Sequence, residues 1–446
     1  MRLLLIAYEF PPSPSPQSLR WSHLVRELLE LGVEVHVLTA ENWWPPTSTR
    51  PPAGAVMHRA WPGGVAGIIA LSRRWRRLRG RPRDDVPAAG SAGGAGAHAG
   101  RRAEATPAAV GPAAAATLNW KGRAVDRLNR VVRRYTFPDE RGRWEPHARS
   151  RLGELLDTLQ PDVVISSHEP ATTLRLGRIA KEAGFPWVAD LGDPVFSFYT
   201  PQRWKEASLE VERWTCTHAD RVIVTTRAAK SLLAERHGVA ESRLEVLTQG
   251  FDGSVVPAPA PAEFDPGRLE LLYTGSFYQF REPRALVDAV LATPGARLSI
   301  ATSRAPDWLP PLLEAHPDQL RLLGFMPHAQ AVALQRSADV LVNIANDDPV
   351  HVPGKVYEYL GAGRPILHLG DHEEDVAARL VRDHRRGVVA GNDAASIGAA
   401  LAELAAIKRE GGWEERFSLG QADVEQYQWR SIARRLHAIL QEVAYP

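Results

Sequence analysis

The sequence predicts an α/β protein built from two doubly wound units, each with a parallel sheet. Three observations carry this. Short apolar runs recur at the spacing of βαβ units, amphipathic helical stretches separate them, and a Pro- and Ala-rich stretch from Val255 to Pro266 divides the series. At 446 residues the chain is long enough for two or three packed cores rather than one.

In the first half, Arg2 to Tyr8 reads as a fully buried strand, followed by a Pro/Ser turn from Pro11 to Ser18. A helix comes next, with Leu19, Leu24, Val25, Leu28 and Leu29 on one stripe; Gly32 closes it, and Glu34 to Thr39 is the second strand. Residues 84–117 are dominated by Ala, Gly and Pro, and are expected to stay disordered because they bury too little to offset their ordering entropy. Helices are expected from Trp120 to Tyr135 and from Pro146 to Leu159, then strands at Asp162 to Ser167, Trp187 to Leu191, Arg221 to Thr226 and Leu244 to Gln249.

The second half repeats the alternation, with strands expected at Leu269 to Thr274, Arg297 to Thr302, Leu320 to Leu323, Val340 to Ile344, Pro365 to Leu369 and Gly387 to Ala390. The resulting division is an amino-terminal unit over residues 1–255, a carboxyl-terminal unit over 265–425, and a last helix within 426–446 able to pack back on the first unit.

Composition excludes several classes. Lys and Arg total 54 against 52 Asp and Glu, so there is no global signal for a polyanion partner, and nucleic acid is not expected. The single cysteine, Cys216, makes no internal disulfide and suits a reducing compartment. The apolar start is too short for a secretory or spanning segment, and a cytoplasmic location is expected. Basic charge is local. Arg73 to Arg83 holds seven arginines in eleven residues with Trp75 and Leu78 among them, and Arg123, Arg127, Arg130, Arg133 and Arg134 recur at helical spacing. Such segments suit peripheral contact with an anionic membrane, at its inner face, or an ordinary solvated surface.

The most informative motif is Pro353 to Pro365, PGKVYEYLGAGRP, a loop opening a short helix at the carboxyl edge of a parallel sheet. The free N–H groups of its first turn (Gly354, Lys355, Val356) form a site for a diphosphate, Lys355 adds a full charge, and Glu358 stands one turn further on for ribose hydroxyls. Tyr273 to Arg281 is a strand running into a glycine turn, where Gly275 and Ser276 let backbone approach a ligand and Arg281 can fork onto phosphate oxygens. His168 and Asp193 follow two buried strands in the first half, facing the expected cleft, where each is equally an ordinary loop residue. The pairs Asp347-Asp348 and Asp190/Asp193 lack a third ligand at recognisable spacing, so no metal is assigned.

Taken together, these residues resemble glycosyltransferase family 4, the retaining enzymes of GT-B architecture with two facing Rossmann-like domains. The resemblance rests on Phe10-Pro11-Pro12 with Ser18-Leu19-Arg20-Trp21, on Pro138-Asp139-Glu140, on Asp190 to Pro194, on Gln249 to Asp252, and above all on the PGKVYEYLGAGRP segment. These motifs are similar to a subgroup found in cell-surface polysaccharide pathways.

The resemblance implies a nucleotide diphosphate sugar as donor substrate, held mainly by the carboxyl-terminal unit, with no further cofactor. A glycan, lipid-linked or small-molecule acceptor would lie on the amino-terminal unit near Ser18, Arg20 and Asp193. It implies His168, Arg281 and Lys355 as catalytic residues, and Gly275, Ser276, Gly354, Lys355, Val356 and Glu358 as the donor site. Three positions depart from the family pattern: Val350 replaces its first glutamate, Ser276 its usual arginine, and Ser15 to Ser18 the Gly-Gly pair of the first loop. A sugar-nucleotide epimerase or hydrolase of the same fold, and a donor-binding subunit without turnover, are the alternatives.

Overall fold

The computed structural model describes residues 1–41, 50–78, 136–138, 140–197, 200–253, 264–277, 281–346, 352–370, 372 and 374–446. The Ala/Gly-rich stretch, the expected helix from Trp120 to Tyr135 with its arginines, Asp347, Asp348 and Val350 lie outside them.

Two parallel sheets organise the described residues. The first has seven strands in the order β3-β2-β1-β4-β5-β6-β7. They are β1 (Arg2–Ile6), β2 (Glu34–Ala40), β3 (Val56–Ala60), β4 (Val163–Ser167), β5 (Trp187–Gly192), β6 (Arg221–Val224) and β7 (Leu244–Val246). The second has six in the order β10-β9-β8-β11-β12-β13. They are β8 (Leu269–Thr274), β9 (Ala296–Ala301), β10 (Leu320–Leu322), β11 (Val340–Ile344), β12 (Ile366–Leu369) and β13 (Gly387–Ala390). Both sheets reverse strand order beside their first strand, β1 against β4 and β8 against β11, and the crevice at such a switch point is where ligands of these sheets bind.

The central strands form because they are apolar on both faces. Leu4 lies in register with His36 on one side and Val164 on the other, and alternate residues of β1 feed two separate cores beneath and above the sheet.

The first helix, Pro16–Glu30, begins earlier than the Leu stripe implied. Ser15 Oγ accepts from Ser18 N at 3.1 Å and Pro16 supplies the preset first position, so the expected turn residues already belong to the helix. Sequence reading also missed β3 and the Gly64–Leu78 helix. VMHRA is a short edge strand whose apolar run is broken by His58 and Arg59 and of which only Ala60 is buried, paired on one side only with β2.

The last helix, Trp429–Ala444, lies on the first. Trp429, Ile432, Leu436, Ile439 and Leu440 share a core with Trp21, Leu24, Val25 and Leu28. The chain thus passes between the two sheets twice, and the two passages touch: Phe251 N donates to Tyr427 O at 3.0 Å and Trp429 N to Phe251 O at 3.0 Å.

Candidate active site

The carboxyl edge of the six-stranded sheet gathers the predicted donor residues. After β8 the chain turns at Gly275, with φ of 118°, a conformation that favours glycine. A Cβ there would lie 3.8 Å from Lys355 Cδ, so the bare backbone lets the lysine lie across the turn. Lys355 Nζ donates to Thr274 O at 3.2 Å and sits 3.8 Å from the centre of the Tyr273 ring, a cation–π contact. Burial pushes Lys355 well below the usual lysine range, and the Arg281 charge pushes the same way. Arg281 is itself buried and donates through Nε to Asn346 Oδ1 at 2.7 Å, just beyond β11.

The helix Gly354–Gly361 opens at Pro353, which offers no side-chain cap; of the three first-turn N–H groups expected to meet a diphosphate, that of Val356 donates to Pro353 O at 3.0 Å, which leaves those of Gly354 and Lys355. One turn along, Glu358 is already held. His328 Nε2 lies 2.7 Å from its Oε1, and Gln335 Nε2 donates to its Oε2 at 3.3 Å. Burial alone would raise the Glu358 pKa, but His328 and Gln335 outweigh it and leave the carboxyl below its ordinary value. His328 shifts the other way: the carboxylate overcomes burial and raises it above 6.5. Gln335 also reaches Thr274 Oγ1 at 3.1 Å, and that hydroxyl lies 2.9 Å from Tyr359 Oη, so β8, the His328–Ser337 helix and the Pro353 segment form one polar network.

On the other sheet, His168 follows β4 directly. Its backbone N–H donates to Asp190 O at 2.8 Å and its Nδ1 lies 3.3 Å from Leu191 O. Burial lowers its pKa and so favours the neutral imidazole, while Glu169, Asp193 and Arg141 are close enough to act on it. Asp193 follows Gly192 at the end of β5, and Thr225 Oγ1 donates to its Oδ1 at 3.4 Å. Gln17, one residue into the first helix, donates to Ser167 Oγ at 2.6 Å and supports the same loop.

Two expected acceptor residues are placed differently. Arg20 is buried, paired with Asp190 at 3.5 Å, and donates to Thr248 O at 2.7 Å and Leu247 O at 3.1 Å. Its charge also reaches Tyr357 of the Pro353 segment. It therefore ties the first helix to the passage between the sheets rather than facing an open acceptor site. Ser18 is buried too, and its hydroxyl has no partner among the described residues.

The sheets meet at this site. A Cβ on Gly354 would lie 3.6 Å from Gln249 Cγ of the first passage. The His23 ring, on the first helix, stacks on Trp429 at 5.4 Å and stands 6.5 Å from the His328 ring. Sequence reading missed His23, Thr274, His328, Gln335 and Asn346. No motif joins His328 to a glutamate 30 positions away, and only Pro327 marks it as the start of a helix.

Among the described residues no group of three or more His, Cys, Asp or Glu is arranged to hold a metal ion, and no helix is long and apolar enough to cross a membrane.

Residues 92–254 match the family model described as Glycosyltransferase Family 4, in line with the resemblance at Pro138 to Glu140, Asp190 to Pro194 and Gln249 to Asp252. No curated protein matches the sequence. Solved structures share the fold across essentially the whole chain. A glycosyltransferase from Rickettsia africae superposes with a TM-score of 0.57 at 11% identity, covering 100% of this chain and 98% of its own. The UDP-GlcNAc 2-epimerase of Methanocaldococcus jannaschii gives 0.52 at 12%, covering 99% and 100%. The UDP-GlcNAc 2-epimerase of Neisseria meningitidis bound to UDP-GlcNAc gives 0.51 at 12%, covering 99% and 100%. The architecture is GT-B: two Rossmann-like units with parallel sheets.

Proposed function

We propose that this chain is a retaining, metal-independent glycosyltransferase that moves a hexose from a nucleotide diphosphate sugar to a glycan or lipid-linked acceptor, in the building of a cell-surface polysaccharide. The observation that carries the reading is the convergence of Lys355, Arg281, the Gly275 turn and the leading N–H groups of the Gly354–Gly361 helix at one sheet edge, with Glu358 one turn beyond. Sugar transfer develops negative charge on the departing diphosphate as the anomeric carbon becomes oxocarbenium-like. Two fixed cations and a helix terminus stabilise that charge without reorganising, and Glu358, already oriented by His328 and Gln335, accepts from the ribose diol. His168 and Asp193 would face the transferred sugar and the acceptor. With retention of configuration, the leaving phosphate takes the acceptor proton.

A thermal-shift panel of UDP, GDP, ADP and CMP tests the donor site, since a nucleotide that binds the native state raises its Tm by mass action. One diphosphate is expected to stabilise the protein, and Glu358→Ala to weaken it roughly tenfold or more, the loss of charge-assisted hydrogen bonds. Absence of any shift, or wild-type binding by the variant, removes the assignment. The epimerase structures favour a second reading, isomerisation of the nucleotide sugar. Product analysis separates them, because epimerisation yields an altered nucleotide sugar with no acceptor added.

A further inference from the structure

Arg20 stands on the first helix with its side chain 1% exposed, and each of its three nitrogens has an acceptor. Nη1 donates to Thr248 O at 2.7 Å, Nη2 to Leu247 O at 3.1 Å and Nε to Asp190 Oδ2 at 3.5 Å. Asp190 is equally buried, and its other carboxylate oxygen has no hydrogen-bond partner among the described residues. A buried ion pair held this loosely adds little to stability, so its presence needs another reason.

That reason lies in what the partners of Arg20 carry. The backbone carbonyl of Asp190 accepts from His168 N at 2.8 Å, so the acid belongs to the edge that holds His168 and Asp193. Leu247 and Thr248 open the first passage between the sheets, and this passage touches both ends of the Gly354–Gly361 helix. A Cβ on Gly354 would stand 3.6 Å from Gln249 Cγ, and one on Gly361 would come within 2.2 Å of the Phe251 ring. The passage has no room to shift on its other side, where a Cβ on Gly250 would meet Tyr427 O and Ile432 Cδ1, each at 2.7 Å. A segment packed this closely transmits a displacement instead of absorbing it. The guanidinium fork thus fixes the passage, and the passage fixes where the N–H groups of Gly354 and Lys355 stand. A lysine ammonium on its flexible stem could not hold two carbonyls and a carboxylate in one planar arrangement.

We propose that Arg20, oriented by Asp190, is a positioning residue for the diphosphate site: from the amino-terminal unit it sets the opening of the Gly354–Gly361 helix on the other unit. This rests on the reading of that helix as the donor site.

Affinities of the full chain for UDP, GDP and ADP, each beside its own nucleoside, test it, measured by calorimetry for the diphosphates and by ligand-detected NMR for the weaker nucleosides. Only the diphosphate meets Gly354 and Lys355. Arg20→Lys is expected to weaken the diphosphate that binds roughly tenfold or more, the effect of misplacing charge-assisted hydrogen bonds, and to leave its nucleoside at wild-type affinity. An arginine with a merely structural role would weaken both alike or neither. Should Arg20→Lys not fold, Asp190→Asn keeps the buried shape and reports on the same fork through the same ratio. Gln249→Ala should repeat the selective loss, and in combination with Arg20→Lys should add nothing beyond the larger single effect, because both act through one chain of contacts. A diphosphate-to-nucleoside ratio unchanged by the Arg20 or Asp190 variant, or effects of Arg20→Lys and Gln249→Ala that simply add, would overturn the proposal and leave the donor site standing. A wild-type chain that binds none of the three diphosphates would remove the donor site and the proposal together.

Discussion

At the scale of single residues, the site sets two cations at one sheet edge. Burial, with the Arg281 charge adding to it, disfavours the ammonium of Lys355. A diphosphate beside it adds negative charge that favours the ammonium, so nucleotide binding is expected to raise the Lys355 pKa and to take up protons over the pH range in which the unliganded lysine titrates. Calorimetry in buffers of different ionisation enthalpy measures the uptake directly, and Lys355→Met should abolish it. The Glu358–His328 pair has the opposite sense. His328 is raised above 6.5, so its contribution is full below that pH and fades as pH climbs through the raised value. Glu358 is lowered, so its own contribution survives until strong acid. His328→Asn should keep a hydrogen bond while removing the alkaline decline in nucleotide affinity, and a decline that persists in the variant would assign it elsewhere.

At the scale of elements, the Pro353 to Pro365 segment does two jobs, and its glycines divide them. Gly354 faces the first passage between the sheets, while Gly361, at the end of the helix, lies against Phe251: a Cβ there would come within 2.2 Å of the ring. Phe251 is buried in the core that also holds Tyr357, Tyr359 and Leu360. Gly361→Ala is therefore expected to cost about 1–3 kcal/mol through overpacking, read as a lower urea midpoint with an unchanged slope, and to loosen nucleotide binding by shifting the helix. Much of this element was legible in the sequence. The strands of the second half are apolar on both faces, and β8, β11 and β13 fall at the expected residues, because a fully buried parallel strand is a continuous apolar run with turn residues at each end. The Lys355, Gly275 and Arg281 grouping was legible for the same reason, since all three lie at strand ends whose edge is fixed by topology. What the sequence could not show was the set of contacts made across long separations. His328 reaches Glu358 from another helix, and Arg20 looks like a cleft residue until its carbonyl partners 227 and 228 positions away are seen. An edge strand such as β3 is equally silent, since it is short, mostly unburied, and broken by His58 and Arg59.

At the scale of the whole molecule, the two units are joined by a small junction whose titration limits its stability from both sides. The first helix carries His23 into the space between Trp429 and His328, with Arg26, Asp252 and Glu358 as the charged groups around it. Arg26 Nη1 donates to Asp252 Oδ2 at 2.9 Å, and Arg336 Nη2 donates to Asp252 O at 3.4 Å, so the first helix, the first passage and the carboxyl-terminal unit are pinned together there. Burial, with Arg26 adding to it, lowers the His23 pKa from 6.5 to about 4. A histidine whose folded pKa is depressed binds fewer protons folded than unfolded, so it withdraws stability as pH falls from 6.5 toward 4, by about 3 kcal/mol once the shift is traversed. His328, being raised, withdraws its contribution on the other side as pH rises. The junction is consequently tightest near and just above pH 6.5 and weakens in both directions. His23→Gln should flatten the acid limb of a Tm-against-pH curve while leaving the alkaline limb, and His328→Asn should do the reverse. A GT-B cleft closes by one unit moving on the other, so loss of the acid limb should also raise nucleotide affinity near pH 4, where protonated His23 would otherwise push the first helix away from His328. If His23→Gln left both the acid limb and that affinity unchanged, the neutral stacked imidazole would not be what holds the two units together.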